Sequence, residues 1–254
     1  MTIGTLFLVQ ACSTNTSGPN IDRSESLIVI DAGHGGHDSG ATSAGLYEKN
    51  LVLQIAQRTA GKFKAMGYNV HLTRDNDRFI KLSGRTKIAD RKDAKVFISI
   101  HANAIANKSR FQVVEGVETY FLQKTRDAKS QRIAARENAA VLQGADTLSK
   151  NVIIDAVLNG PKIIESNKLA IDVQSNIVKQ LREKYNTKNG GVRPAPFYVL
   201  VGASRPSILV EVGYITNDKE RARLFTTDYQ ERIAKGVVAG ATRYIDNRKK
   251  ELGF

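Results

Sequence analysis

Three short apolar runs, each carrying a histidine or an acid, constrain the fold of this chain most. Leu27–Ala32 leads into Gly33-His34-Gly35-Gly36. Val96–Ile100 ends on His101-Ala102-Asn103. The run after Pro206, Ser207-Ile208-Leu209-Val210-Glu211-Val212-Gly213, encloses an acid. Runs of this length and branching read as buried strands. Helical patterns alternate with them: Asn50–Met66, closed by Gly67; a helix carrying Ile88 and Ala89 with Ser83 as its cap; and Tyr229–Arg248, with Ile233, Val237, Val238 and Tyr244 facing a core. Tyr68–Thr73 and Gly116–Leu122 add further strands. Such alternation predicts an α/β fold, a mostly parallel twisted sheet flanked by helices. The 254 residues, 41% of them hydrophobic, suffice for one sizeable core. There is no internal repeat and no sign of a second domain.

A histidine at the C-terminal end of a strand is delivered to the crevice where open α/β sheets bind ligands. The chain has four histidines, and His34 and His101 occupy equivalent places. The pair suggests a metal site. A catalytic zinc takes about three protein ligands and leaves one position to water. Glu48, opening the helix that carries Leu51, Ile55 and Phe63, is the best third candidate. A carboxylate in a first helical turn is also favoured by the helix dipole alone, which accounts for Glu48 equally well. Glu211 lies inside an apolar strand, where a carboxylate is costly unless paired or bound. A salt-bridged core residue or a wet edge strand would explain it. A general acid/base beside the metal is the favoured reading, because burial raises a carboxyl pKa toward the working range. His71, in mid-strand, reads as a solvent-side residue, and His37, in a glycine-rich loop, as lining the site or facing water.

Taken together, Asp31-Ala32-Gly33-His34-Gly35-Gly36, Glu48-Lys49, Ser99-Ile100-His101-Ala102-Asn103 and Glu211-Val212-Gly213-Tyr214-Ile215-Thr216-Asn217 appear in an order that resembles the zinc-dependent N-acetylmuramoyl-L-alanine amidases of bacterial cell-wall turnover. Gly116-Val117-Glu118-Thr119-Tyr120 and Gly191-Val192-Arg193-Pro194-Ala195-Pro196-Phe197-Tyr198-Val199-Leu200 extend the resemblance, which covers about Leu27 to Ile245. It implies one Zn2+ per chain on His34, Glu48 and His101, with Glu211 as catalytic acid/base. The substrate would be peptidoglycan, cleaved between N-acetylmuramic acid and the L-alanine of its stem peptide. Asn103, Asn189 and Arg193 become candidate substrate contacts. Gly190 stands where the family often has a basic residue. Competing readings are another zinc hydrolase of the wall, a carboxypeptidase or deacetylase, and a non-catalytic wall-binding lipoprotein.

From about residue 124 to 165 the chain departs from the shortest members of that family. Gln131–Leu142 and the more apolar Asn151–Leu158 read as inserted helices, before a helix over Lys168–Lys184. In resembling members that act in cell separation, an inserted helix covers the zinc cleft until an activator protein displaces it. Autoinhibition is therefore expected here, with Glu137 as the acid in the open zinc position and Glu165 as the alternative. Val152, Ile153, Val157 and Leu158 fit an activator's landing site.

Residues 1–24 stand apart from the catalytic domain expected over 25–254. Ile3–Val9 is apolar but too short to span a membrane. It resembles the core of a truncated export signal, and Val9-Gln10-Ala11-Cys12 resembles a lipobox that would place a lipid on Cys12. Ser13–Asn20 reads as a flexible tether. An exported monomer of the periplasm or cell envelope is expected, touching the membrane only through Cys12. With Cys12 as its one cysteine, the chain forms no internal disulfide and no cysteine-based metal cluster. The net charge of +13 favours anionic partners. The basic residues are scattered and tryptophan is absent, so a generically basic surface is the reading and nucleic acid is not an expected partner.

Overall fold

The computed structural model describes residues 23–139 and 161–253. The expected signal, Cys12, the tether, and Val152, Ile153, Val157 and Leu158 lie outside the described residues.

Six strands form the main sheet: β1 (Leu27–Ala32), β4 (Asn69–Leu72), β5 (Val96–Asn103), β6 (Val117–Leu122), β7 (Asn189–Ala195) and β8 (Ser207–Tyr214). Their order is β4-β1-β5-β8-β6-β7. All neighbours are parallel except β6 and β8. A small ribbon, β2 (Thr42–Ser43) and β3 (Leu46–Tyr47), precedes the first helix. The helices are α1 (Glu48–Ala65), α2 (Leu82–Arg91), α3 (Ala128–Glu137), α4 (Pro161–Arg182), α5 (Asp218–Leu224) and α6 (Thr227–Glu251). Among the described residues, no helix is long and apolar enough to cross a membrane.

The apolar runs become central strands because both of their faces are covered. Ile28, Ile30, Ile98, Ile100, Ile208 and Val210 point to the face packed by α1, α4 and α6, including the expected Ile233, Val237, Val238 and Tyr244. Val29, Phe97 and Leu209 point to the other, with Ala89 of α2 and Ile133 and Ala134 of α3. This is the two-sided burial that makes parallel strands read as unbroken apolar runs.

Several boundaries differ from expectation. Ser83 does not cap α2: the helix starts at Leu82, behind Lys81, with no side-chain cap. The first inserted helix starts three residues early, because Asp127 accepts from the Ser130 backbone N–H at 2.9 Å. The helix expected over Lys168–Lys184 begins at Pro161, so the last expected inserted residues form its opening turns.

Candidate metal centre and active site

His34, Glu48, His101 and Glu137 reach one point from four different segments. Each offers one ligand atom, and the four atoms lie within 4.8 Å of one another. His34 Nε2 is 3.2 Å from Glu48 Oε1 and 3.2 Å from Glu137 Oε2. His101 Nδ1 is 3.2 Å from Glu48 Oε1 and 3.0 Å from Glu137 Oε2. A tetrahedral cation with ligands at the ~2.0–2.1 Å typical of zinc has edges of about 3.3 Å. Four of the six donor–donor distances, the 3.0–3.2 Å contacts, are close to that edge and the others reach at most 4.8 Å, so the donor set, two imidazoles and two carboxylates, suits zinc. His34 Nε2, His101 Nδ1 and Glu137 Oε2 are buried and meet only through these charged contacts, without a hydrogen bond of good geometry, as donors converging on a cation would be.

The chain holds these donors firmly. His34 follows β1 in the left-handed region, at φ 58°, which is uncommon outside glycine. Two buried arginines hold that loop. Arg74 donates to the carbonyls of Ala32, Gly33 and Lys49, and Arg85 to those of Ala32 and His34. Arg85 also pairs with buried Asp31 at 2.8 Å, and Thr73 and Ser99 donate to the same carboxylate. Gly33 is needed because a Cβ there would lie 2.4 Å from the His101 ring. His34 Nδ1 hydrogen-bonds Asp38 Oδ2 at 2.9 Å, an outer carboxylate that orients the ring and leaves Nε2 for the cluster. Glu48 is fully buried. Its oxygens accept from the Ala41 and Ala102 backbone N–H groups, both at 2.8 Å.

The electrostatics describe a site built for a cation. Burial works against charge on His34, but the charge of Glu48, with the Asp38 hydrogen bond and the close contacts to Glu137 and Glu48, holds its pKa well above 6.5. His101 is likewise raised to about 9, with Glu137 and Glu48 overcoming burial. Glu48 is lowered to about 2, its burial outweighed by the histidines. The negative charge that keeps protons on these imidazoles is what a metal ion would meet instead.

Glu211 sits opposite His101 in the β5–β8 pairing. It is fully buried, and neither carboxylate oxygen has a hydrogen-bond partner. Burial, then the charge of Glu137, raises it to about 8, against the opposing pull of Arg136 and His101. Such a group is suited to exchanging protons near neutral pH.

Glu137 is the last residue of α3, which lies across this site. Arg136 donates to Glu137 Oε1 at 2.8 and 2.5 Å, to Asn103 Oδ1 at 3.0 Å and to the Ala104 carbonyl. It also lies 3.6 Å from Glu211 Oε1. Asn138 bonds the Pro196 carbonyl and the Tyr198 N–H, securing the end of the helix.

The other candidates are placed elsewhere. Glu165 is not in the cluster: it accepts from Tyr244 and pairs with Lys168 and Arg248 between α4 and α6. Its position on α4, rather than α3, removes it as the alternative acid. Asn103 is buried, with Oδ1 taken by Arg136 and Nδ2 donating to Glu118. Asn189 Oδ1 accepts from Gln174 and from Gly191 N–H, a structural arrangement. Arg193 is part-exposed beside Glu118 and Asp127. His37 stacks on Phe79 at 4.1 Å, and His71 lies part-buried on β4. Sequence reasoning gave no role to Asp31, Asp38, Arg85, Glu118 or Arg136. Asp31 and Glu118 carry the same signal as Glu211, an acid within an apolar strand.

The N-acetylmuramoyl-L-alanine amidase family matches residues 28–243, and the chain belongs to it. AmiA of Escherichia coli (strain K12) is 31% identical over 230 residues, which is 88% of this chain and 78% of that protein. AmiC of Neisseria meningitidis is 34% identical over 235 residues, 89% of this chain, and the match spans 54% of that longer protein. Among solved structures, AmiC2 of Nostoc punctiforme superposes with a TM-score of 0.66 at 35% identity, covering 87% of this chain and 97% of that one. The α/β fold with a mostly parallel sheet is as the sequence predicts.

Proposed function

We propose that this member of the N-acetylmuramoyl-L-alanine amidase family hydrolyses the amide between the lactyl group of N-acetylmuramic acid and the L-alanine of the peptidoglycan stem. In this reading one zinc ion is held by His34, Glu48 and His101, and Glu211 is the acid/base. The observation that carries it is the convergence of the three donors beside a buried carboxylate whose oxygens accept no hydrogen bond. Zinc, when bound, supplies Lewis acidity at the carbonyl and acidifies water enough for attack at neutral pH. Glu211 takes the proton of the attacking water and returns one to the leaving amine nitrogen, which must be protonated to depart. Asp38 fixes the His34 ring throughout. The β8 strand keeps Glu211 next to His101.

The resting form is closed in this reading. Glu137 fills the fourth position of the donor cluster, where water would enter, and Arg136 covers Glu211 and Asn103. Activity then requires α3 to leave, which suits control by an activator protein during daughter-cell separation. Export to the periplasm or cell envelope, with or without a lipid on Cys12, follows from the substrate.

The test is digestion of purified sacculi by the full chain and by Glu137→Ala, with and without a chelator, followed by mass analysis. Chelator-sensitive release of stem peptides bearing a free L-alanine amine, faster with Glu137→Ala, is expected. Products of any other bond cleavage would refute the amidase reading. Equal rates for the two chains would refute the closed resting form.

A further inference from the structure

Glu118 on β6 lies beside Glu211 in the β6–β8 register and is 1% exposed. The Tyr120 hydroxyl donates to Oε2 at 2.8 Å, the Tyr214 hydroxyl at 3.2 Å and Asn103 Nδ2 at 3.4 Å. Its other oxygen pairs with the ammonium of Lys129 on α3. That ammonium also lies 5.8 Å from the centre of the Tyr214 ring, within the range of a cation–π contact. Gly190 makes room for this arrangement: a Cβ there would fall 2.2 Å from Glu118 Cγ. Any side chain at that position would displace Glu118.

A cation receptor and an anion receptor stand side by side here. Arg193 Nε is 3.9 Å from Glu118 Oε1, and Arg193 Nη1 is 3.6 Å from Asp127 Oδ2, the cap of α3. The start of α3 thus presents an ammonium to Glu118 and a carboxylate to Arg193, while its end presents Glu137 to the metal donors. Lys129 and Glu137 are eight residues apart, about 12 Å along a helix. An extended peptide of three residues spans about 10–11 Å. If α3 withdraws, Glu118 loses its ammonium and keeps only the longer Arg193 contact, 3.9 Å from Oε1, while Arg193 loses Asp127; a buried carboxylate left with so distant a counter-charge is disfavoured.

Building on the amidase reading, we propose that Glu118 and Arg193 form a subsite for the third residue of the stem peptide. The ligand is a diamino acid whose side chain ends in an ammonium and a carboxylate on one carbon. Lys129 and Asp127 of α3 occupy that subsite in the closed form. A plain lysine would satisfy Glu118 but leave Arg193 without a replacement for Asp127, sharing Glu118 with the ligand's ammonium, so the zwitterionic end is preferred.

Calorimetry on the full chain carrying Lys129→Met tests this, since that change removes the resident ammonium from a part-exposed helix position. The probes are L-Ala-γ-D-Glu tripeptides ending in meso-diaminopimelate, L-lysine or L-norleucine. Binding should weaken in that order, with at least about a tenfold gap between the first and last, as expected for a desolvated charge pair. Adding Glu118→Gln should abolish the advantage of lysine over norleucine. Adding Arg193→Met, at a part-exposed side chain, should abolish that of diaminopimelate over lysine. Equal affinity for all three peptides, or no binding of any, overturns the subsite. Ordered binding in a chain that releases no stem peptide from sacculi would leave the subsite standing and refute the amidase reading instead.

Discussion

Replacing Arg85 by methionine should destabilise the fold and loosen the metal centre together. The Arg85 and Asp31 side chains are 1% and 0% exposed, and they meet at 2.8 Å. Thr73 and Ser99 hydroxyls complete the coordination of the carboxylate, but they bring no positive charge. Removing one partner of such a buried pair costs about 3–5 kcal/mol, a large share of the roughly 5–15 kcal/mol that holds a domain folded. The sign with pH follows from Asp31. Burial alone would raise its carboxyl, but Arg85 and the hydroxyls hold it below the ordinary value. The stability it contributes is fully present above the unfolded carboxyl value of about 3.9 and is lost as pH falls through the lower folded value. In Arg85→Met the burial is left largely unopposed, so the carboxyl rises and takes up a proton on mild acidification. Urea unfolding should therefore show a deficit of about 3 kcal/mol or more at neutral pH that narrows near pH 5. The Asp31→Asn, Arg85→Met double variant should recover part of it. A deficit under about 1 kcal/mol, or one independent of pH, would refute the buried-pair account. Zinc affinity should fall in the same variant, because the His34 carbonyl loses its 2.8 Å bond to Arg85.

Three further outcomes are expected. Glu211→Gln should keep its zinc by metal analysis and lose about 10²–10⁴-fold in hydrolysis; retained turnover would remove Glu211 from the mechanism. Asp38→Ala should weaken zinc binding by about 10–100-fold in a chelator competition, since His34 Nδ1 loses its 2.9 Å partner; unchanged affinity would mean the ring needs no orienting. His34 and His101 hold protons above their ordinary range, His101 to about 9, and each must lose its proton to ligate. Apparent zinc affinity should accordingly rise with pH toward about 9, with proton release seen by calorimetry in buffers of different ionisation heat. A flat profile with no proton release would contradict the assignment of both histidines.

His34, His101 and Glu211 were legible because strand ends are legible. A buried strand is an unbroken apolar run, and a polar residue at its C-terminal end can only be delivered to the crevice. Asp31 too interrupts an apolar run, but its partner Arg85 lies 54 positions away, so the pair is not written in any local stretch. Glu48 was ambiguous in sequence between a helix-dipole charge and a ligand. Its burial and two backbone N–H donors are products of the β2–β3 ribbon and the end of β5, which no local pattern encodes. Glu137 was the sequence candidate for the open zinc position and Glu165 its alternative, both acids in inserted helical sequence. Only packing separates them: α3 lies on the sheet face that holds Phe97 and Leu209, while α4 packs on the opposite face.

Local sequence determined which segments become strands and helices, because periodicity and burial are properties of short stretches. It also determined which reactive side chains stand at strand ends. Tertiary structure decided which charges meet. The joining of Arg85 to Asp31, of Arg136 to Glu211, and of Lys129 to Glu118 depends on strand order and helix placement, set by the whole core at once. Charge pairing falls off over a few ångströms, so a shift of one helix turn would dissolve each of these pairs while leaving every sequence pattern intact.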